Sequence, residues 1–477
     1  MKILLASAEV YPFAKVGGLA DVAGSLPKAL AKLGIDIRVV MPKYRTAAQN
    51  APQIHRVVEA VSVPMPGGES GCAVDLDHLP DSDVPVYFIE HDDYFDREEI
   101  YGPPGGAYPD NAERLSFFCR AVLAATAALD FQPDVIHLND WHTSLIAAYS
   151  ALRQLPYATV FTGHNLGGAY QGVFPDTVLD TVGLDPSDPR VRDTLSNGQL
   201  NLARVGMVFA DMINTVSEKY AEELRDPAIA GDIADLVVKR GDDVWGIVNG
   251  IDYDAWSPSS DDKIVAQYDA GDLTGKAACK ADLQTEFGLP QEPDIPLIGM
   301  VTRLDAQKGL DLVAEIMDNT DAFQLAVLGT GDPKLEALFS QAARTHESIA
   351  ARLEFSDPLA RKVYAGADMF LMPSRYEPCG LGQMIALAYG TVPIVRYTGG
   401  LADTIHTTGP KANGFNFKKY SANALLGAIR RSLKAYADEQ RWQAYVANAF
   451  VSDHSWDVSA RRYEQLYRAA IEKSTIT

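Results

Sequence analysis

At 477 residues the chain is too long for a single hydrophobic core, so two or more domains are expected. A hydrophobic content of 47% with 22% charged residues is that of a globular protein, which excludes fibrous and disordered classes. With 63 acidic against 42 basic residues the net charge is −21, which repels nucleic acid and anionic membranes but not a neutral polysaccharide. An anionic small ligand requires a local convergence of the scarce Lys and Arg.

Four cysteines, Cys72, Cys119, Cys279 and Cys379, lie far apart without C-x-x-C spacing. They fit neither a disulfide framework nor a zinc site, and point to a reducing, cytoplasmic setting. The opening nine residues carry one cation and too short an apolar run for a signal peptide, and read as a first buried strand. No apolar run approaches the length that spans a bilayer, so no membrane partner is expected.

Apolar strand-like runs alternate with amphipathic stretches along the chain, which predicts an α/β fold with parallel sheets. In the first half, strands are expected at 3–6, 36–41, 134–138, 159–162 and 212–216, with helices at 19–33 and 143–153. The alternation breaks around 244–260, where a polar stretch follows Asn249-Gly250-Ile251-Asp252, and a domain boundary is placed there. A second series then begins, with strands at 296–302, 324–328, 352–355, 369–372 and 393–395. Helices fall at 311–317, 335–343, 359–365 and 382–388, and a last amphipathic helix covers 460–472. Two doubly wound domains are therefore expected, about 1–250 and 257–457, with ligands bound at the C-terminal strand ends in the cleft between them.

Four segments at such strand ends carry chemistry. In Lys15-Val16-Gly17-Gly18-Leu19-Ala20-Asp21, the glycines admit close backbone approach, the helix start offers N–H groups to an anion and Lys15 adds a cation. An ordinary tight turn explains the same residues equally well. Arg303 and Lys308, five residues apart after a strand, can clamp a diphosphate, against the commoner fate of solvated surface charge. Glu377, in Arg375-Tyr376-Glu377-Pro378-Cys379-Gly380-Leu381, can stabilise an oxocarbenium-like sugar carbon, although a lone Glu is more often a cap or surface residue. In the fourth, Trp141 offers an apolar face to a sugar ring, and Asp140, His164 and Asn165 can bond its hydroxyls. The competing reading makes His164 a core histidine.

Two D-x-D matches, Asp75-Leu76-Asp77 and Asp252-Tyr253-Asp254, are discounted because such matches arise easily in an acidic chain; no metal-ligand spacing appears. Gly17-Gly18-Leu19-Ala20-Asp21 recurs as Gly399-Gly400-Leu401-Ala402-Asp403, which reads as two glycine-rich turns opening helices in related folds.

In register over the whole chain, these segments together resemble the bacterial glycogen synthase and plant starch synthase family, retaining glucosyltransferases of the GT-B fold. The resemblance implies transfer of glucose from ADP-glucose, a co-substrate, to the non-reducing end of an α-1,4-glucan such as glycogen or starch. It implies no cofactor and no metal. Lys15, Arg303 and Lys308 would hold the diphosphate, aided by the backbones of Gly17-Gly18 and Gly380-Leu381. Asp21 would lie near the ribose and Phe355 would stack on adenine. His164, Asn165, Glu377 and Cys379 would surround the glucose, with Asp140 facing the acceptor and Asn249, in Val248-Asn249-Gly250-Ile251-Asp252, a substrate contact. A final helix at about 458–477 would cross back to the first domain.

Two departures stand out. The family pattern His-Asn-Leu-Ala-Tyr-Gln-Gly is here His164-Asn165-Leu166-Gly167-Gly168-Ala169-Tyr170-Gln171-Gly172, lengthening the loop beside the sugar site. Ile385 stands eight residues after Glu377, where a related transferase family has a second Glu for the ribose. Alternatives from the sequence are a UDP-glucose-dependent relative or a catalytically silent glucan-binding protein. A phosphorylase fits less well, for want of a pyridoxal-phosphate lysine motif. No segment assigns an oligomeric state.

Overall fold

The computed structural model describes residues 1–103 and 105–475. It divides into two units: Met1–Ile247 together with the C-terminal segment from Trp456, and Val248–Ser455. The division thus falls after Ile247, ahead of the expected 250–257, and Asn249 belongs to the second unit rather than the first.

The first unit holds β1 (Lys2–Ala6), β2 (Asp36–Pro42), β3 (His55–Met65), β4 (Gly68–His78), β5 (Pro85–Glu90), β6 (Val135–Asn139) and β7 (Ala158–Gly163). Three short strands follow, β8 (Val173–Pro175), β9 (Leu195–Ser196) and β10 (Gln199–Asn201), then β11 (Met212–Thr215) and β12 (Val244–Gly246). The main sheet runs in the order β12-β11-β7-β6-β1-β2-β5-β4-β3. Its strands are parallel from β12 to β5, and β4 and β3 join antiparallel at one edge.

The parallel strands are continuous apolar runs because helices cover both faces; every residue of β6 and of β7 is buried. The β3–β4 hairpin and the helix Asn111–Ala128 were not expected. β3 is mostly exposed and mixes charge with β-branched residues, so it lacks the solid apolar run by which the inner strands announce themselves.

The second unit is a six-stranded, all-parallel sheet in the order β15-β14-β13-β16-β17-β18. These are β13 (Leu297–Val301), β14 (Gln324–Leu328), β15 (Ile349–Arg352), β16 (Met369–Met372), β17 (Val392–Arg396) and β18 (Phe415–Phe417). β15 ends three residues before its expected limit. Ser356 caps the helix Asp357–Gly366 by accepting from the Leu359 N–H, and Pro358 fits that first turn, so residues 353–355 are a connection.

In both sheets the strand order reverses beside a central strand: β1 lies between β2 and β6, and β13 between β14 and β16. Open parallel sheets bind ligands outside the carboxyl ends of the strands at such a reversal. The turns after β1, β6, β7, β13 and β16 carry most of the sequence-predicted candidates.

The helix Trp456–Ser474 packs into the first unit's core through Trp456, Ala460, Tyr463, Leu466, Tyr467 and Ala470. A buried polar chain secures it. The Tyr467 hydroxyl lies 2.9 Å from Nδ1 of His137 on β6, and Nε2 of His137 lies 2.7 Å from Oγ1 of Thr162 on β7. Asn214 on β11 donates to both Thr162 and the Tyr463 hydroxyl. The C-terminal helix is therefore bonded to the strands that end at Asp140 and His164.

Burial holds His137 down at about 3. The unfolded chain takes up that proton near 6.5, so the stabilisation is complete above about pH 6.5 and is lost as pH falls towards 3. Tyr467→Phe strands a buried imidazole nitrogen and is expected to lower unfolding free energy by about 1–3 kcal/mol. Urea unfolding of both proteins at pH 7.5 checks this, and repeating wild type at pH 5 should give a lower midpoint.

Candidate active site

In the second unit the ends of β13 and β16 form a pocket of about 220 Å³. Arg303, Lys308, Ser374, Glu377, Gly380 and Leu381 line it, so five sequence-predicted residues are brought together there and Ser374 joins them. Glu377 is 5% exposed. One of its oxygens, Oε2, accepts from Lys308 Nζ at 2.7 Å and from the Ser374 hydroxyl at 2.9 Å. Arg303 is mostly exposed and pairs with Asp305 at 3.2 Å.

The turn bearing Glu377 is braced from behind. Gly399, at φ +43°, opens the short helix Gly399–Thr404, and its Cα sits against the Glu377 carbonyl while Gly400 presses on Cys379. A methyl at either position would collide with that backbone, and the Gly400 N–H bonds the Glu377 carbonyl at 3.1 Å. The recurrence of Gly-Gly-Leu-Ala-Asp thus serves two purposes. Around Gly17 and Gly18 there is open space, whereas Gly399 and Gly400 are pressed against the Glu377 turn.

Cys379 is buried beside that turn, and burial pushes its thiol up to about 12 despite a hydrogen bond from the Asn249 backbone. Asn249 and Cys379 therefore adjoin each other in the second unit. The Asn249 side-chain oxygen is buried without a hydrogen-bond partner among the described residues. Phe355 is not brought in: it lies in the connection after β15, is 92% exposed and does not line the pocket.

In the first unit Gly17 caps the helix Gly18–Lys32, and Lys15 pairs with Asp21 in its first turn at 2.7 Å. The expectation that this turn offers its N–H groups to an outside anion is narrowed to the helix start at Gly18. The N–H groups of Val16 and Gly17 both donate to Oε2 of Glu9, at 2.6 and 2.8 Å. Glu9 had no motif around it to draw attention, beyond following a buried strand by three residues.

Asp140, at the end of β6, has φ +58° and ψ 177°, a conformation that side chains other than glycine rarely adopt. Its Oδ1 accepts from the His164 N–H at 2.7 Å. Burial pushes the Asp140 carboxyl up to about 7, against that hydrogen bond, with the Glu9 charge adding to the rise. Burial holds His164 down at about 4, and its Nε2 lies 2.9 Å from Oδ1 of Asn139. Asn165 accepts from the Gly167 N–H at 3.0 Å, closing the start of the lengthened loop on itself. Trp141 rests against Gly172, Phe174 and His142. Asp140, Trp141, His164 and Asn165 thus form one cluster at the ends of β6 and β7.

Three of the four discounted D-x-D carboxylates have structural tasks. Asp75 pairs with Lys43 and Arg56, Asp77 accepts from the Gln53 and His78 N–H groups, and Asp252 accepts from the Asp254 N–H. Asp75-Leu76-Asp77 does lie on a strand, β4. Among the described residues no group of three or more His, Cys, Asp or Glu side chains is placed to hold a metal ion. No helix of the described residues is long and apolar enough to cross a membrane.

Residues 2–239 match the starch synthase catalytic domain, and residues 284–449 match glycosyl transferases group 1. Glycogen synthase from Syntrophotalea carbinolica is 45% identical over 487 residues, and glycogen synthase 2 from Geobacter sulfurreducens is 46% identical over 485; each alignment covers 99% of both chains. The chain belongs to the glycogen and starch synthase family. Its structure matches the catalytic domain of starch synthase IV from Arabidopsis thaliana, solved bound to ADP and acarbose, with a TM-score of 0.86 and 32% identity over 99% of both chains. A sucrose-phosphate synthase from Thermosynechococcus elongatus, 21% identical with a TM-score of 0.61, shares the fold. The protein is thus a GT-B glycosyltransferase of glycogen or starch synthesis.

In this synthase Lys308 and Glu377 are a mostly buried pair, their side chains 17% and 7% exposed. Removing one partner leaves the other's charge uncompensated, so Lys308→Met should lower unfolding free energy by about 3 kcal/mol. The double variant Lys308→Met/Glu377→Gln should recover most of that stability. Denaturant unfolding of the single and double variants reads both effects.

Proposed function

We propose that this synthase transfers glucose from ADP-glucose to the non-reducing end of an α-1,4-glucan with retention of configuration. The observation that carries the proposal is the second-unit pocket, where two cations and a fixed carboxylate face the same space. The 32% identical starch synthase is solved with ADP and with the oligosaccharide analogue acarbose, ligands of the classes this reading requires.

Breaking the bond between the glucosyl C1 and the diphosphate leaves negative charge on the nucleotide and positive charge on the sugar carbon. Arg303 and Lys308 answer the first, with Lys15 assigned the same task by the resemblance, and the Glu377 carboxylate answers the second. Lys308 and Ser374 hold that carboxylate in one orientation. Charge on the leaving group is met by side chains in this scheme, without a metal. Asp140 and His164 take the hydroxyls of the sugar and of the acceptor end, and Trp141 supplies an apolar face. The lengthened 164–172 loop borders this cluster and is where acceptor preference is set. A cytoplasmic site of action accords with four free, buried cysteines.

Incubation with a glucan primer and ADP-glucose should release ADP and lengthen the primer by α-1,4-linked glucose, read by coupled assay and proton NMR. UDP-glucose should be the poorer donor. Glu377→Gln should lower kcat by a factor of about 10² or more while ADP still binds. Folded wild-type protein that neither releases ADP nor extends the primer would sink the proposal.

A further inference from the structure

The carboxylate of Glu9 has no part in the scheme above, yet it is 4% exposed and lies directly beneath the Lys15–Gly18 turn. Its Oε2 collects the N–H groups of Val16 and Gly17. Its Oε1 accepts from the Tyr101 hydroxyl at 2.6 Å. Three donors on two oxygens suit an acceptor-only group, and a carboxylate beneath a helix start is stabilised by the helix dipole.

Tyr101 is itself well anchored. Its carbonyl accepts from the Tyr108 N–H and from the Asn111 side chain, both at 2.9 Å. Its ring stacks on His142, with centroids 4.7 Å apart and planes at 20°, and His142 in turn packs on Trp141 at 4.1 Å. One phenol therefore touches both halves of the first unit's candidate site. Its hydroxyl is bonded to the carboxylate that shapes the turn after β1, and its ring lies on the segment after β6 that begins at Asp140.

We propose that Glu9 and Tyr101 are a positioning pair that locks the Lys15–Gly18 turn and the Asp140–His142 segment into one rigid arrangement for glucosyl transfer. This rests on the reading that both segments serve the reaction. The electrostatics agree with the geometry: after burial, the charge of Glu9 is the next cause that makes the Tyr101 phenol harder to ionise, and it is among the causes that hold the Asp140 carboxyl up. The pair explains why a buried carboxylate is kept beside a turn whose neighbouring Lys15 is assigned to an anionic donor. The N–H groups of Val16 and Gly17 are spent on shaping the turn, and attraction for the donor is left to Lys15 and the helix start at Gly18.

The test is steady-state kinetics of wild type, Tyr101→Phe, Glu9→Ala and the double variant, with ADP-glucose and a glucan primer, alongside thermal melting. Tyr101→Phe removes one hydroxyl and keeps the ring on His142. It is expected to lower kcat about tenfold and to raise KM for both donor and primer, since small misplacements of substrate-positioning groups are costly. A merely structural role predicts a lower melting temperature with unchanged KM values. In the Glu9→Ala background the hydroxyl has no partner to lose, so the same substitution should cost less than threefold.

A folded Tyr101→Phe within threefold of wild type in kcat and both KM values overturns the pair, as do strictly additive effects. Should Tyr101→Phe not fold, Glu9→Gln against Glu9→Ala decides. The amide can accept both N–H groups and donate to the phenol, so Gln is expected to keep at least ten times the kcat/KM of Ala, and equal values overturn the proposal. Wild type run in parallel separates the two readings, because its failure to transfer glucose from ADP-glucose removes the reaction itself, whereas active wild type with unaffected variants removes only the pair.

Discussion

Each of the three cations proposed to meet a diphosphate is held by a carboxylate from its own neighbourhood. Lys15 has Asp21, Arg303 has Asp305 and Lys308 has Glu377. The pairs differ in how tightly they hold. Lys15 and Arg303 are 45% and 64% exposed in the side chain, where an ion pair contributes little and an incoming anion can displace the carboxylate at small cost. The Lys308–Glu377 pair is mostly out of water, where breaking it is expensive. Lys308 is therefore tied firmly to orienting Glu377, and in the proposed scheme the exchangeable charge for an incoming anion rests on the exposed pairs. Such pairing lets a chain of net charge −21 keep cations at strand ends without offering them to every anion.

That arrangement depends on the parallel sheets. A parallel strand buried on both faces must deliver its polar residues beyond its carboxyl end, and the order reversals beside β1 and β13 leave room there for a ligand. The glycines complete the effect in opposite ways. Open space around Gly17 and Gly18 keeps the first turn approachable, while the close contact of Gly399 and Gly400 with residues 377–379 holds the second rigid. One five-residue pattern thus shapes a site once by leaving space and once by removing it.

The inner strands were legible because burial on both faces forces solid apolar runs, and β1, β2, β6, β7, β11 and β13 lie within a residue or two of where those runs place them. The exposed β3–β4 hairpin was not, since an edge exposed to water carries no such run. The cations, Glu377 and the Asp140–His164 cluster were legible from their place after strands. The strand expected over 352–355 falls three residues too far along because Ser356-Asp357-Pro358 starts a helix earlier than apolar pattern alone implies, which leaves Phe355 on an exposed connection. Glu9 was invisible for a different reason: its partners are two backbone N–H groups and a tyrosine 92 residues away, and none of these leaves a local mark in sequence.

Asp140 shows where the fold gives up stability. Its backbone sits in a region that costs of order 1–3 kcal/mol outside glycine, and burial resists ionisation of its carboxyl up to about pH 7. Glycine would remove the strain, and asparagine would remove the charge while retaining an oxygen for the His164 N–H. Both costs fall together on one side chain. A fold that concentrates strain and an unfavourable charge at a strand end, beside a neutral histidine and a tryptophan face, is trading stability for a carboxylate poised near neutrality. Between about pH 4 and 7 the folded protein keeps a proton there that the unfolded chain has released, so this group's own contribution to stability declines as pH rises through that window. The same carboxylate is therefore least comfortable in the fold at the pH where its charge is available for chemistry.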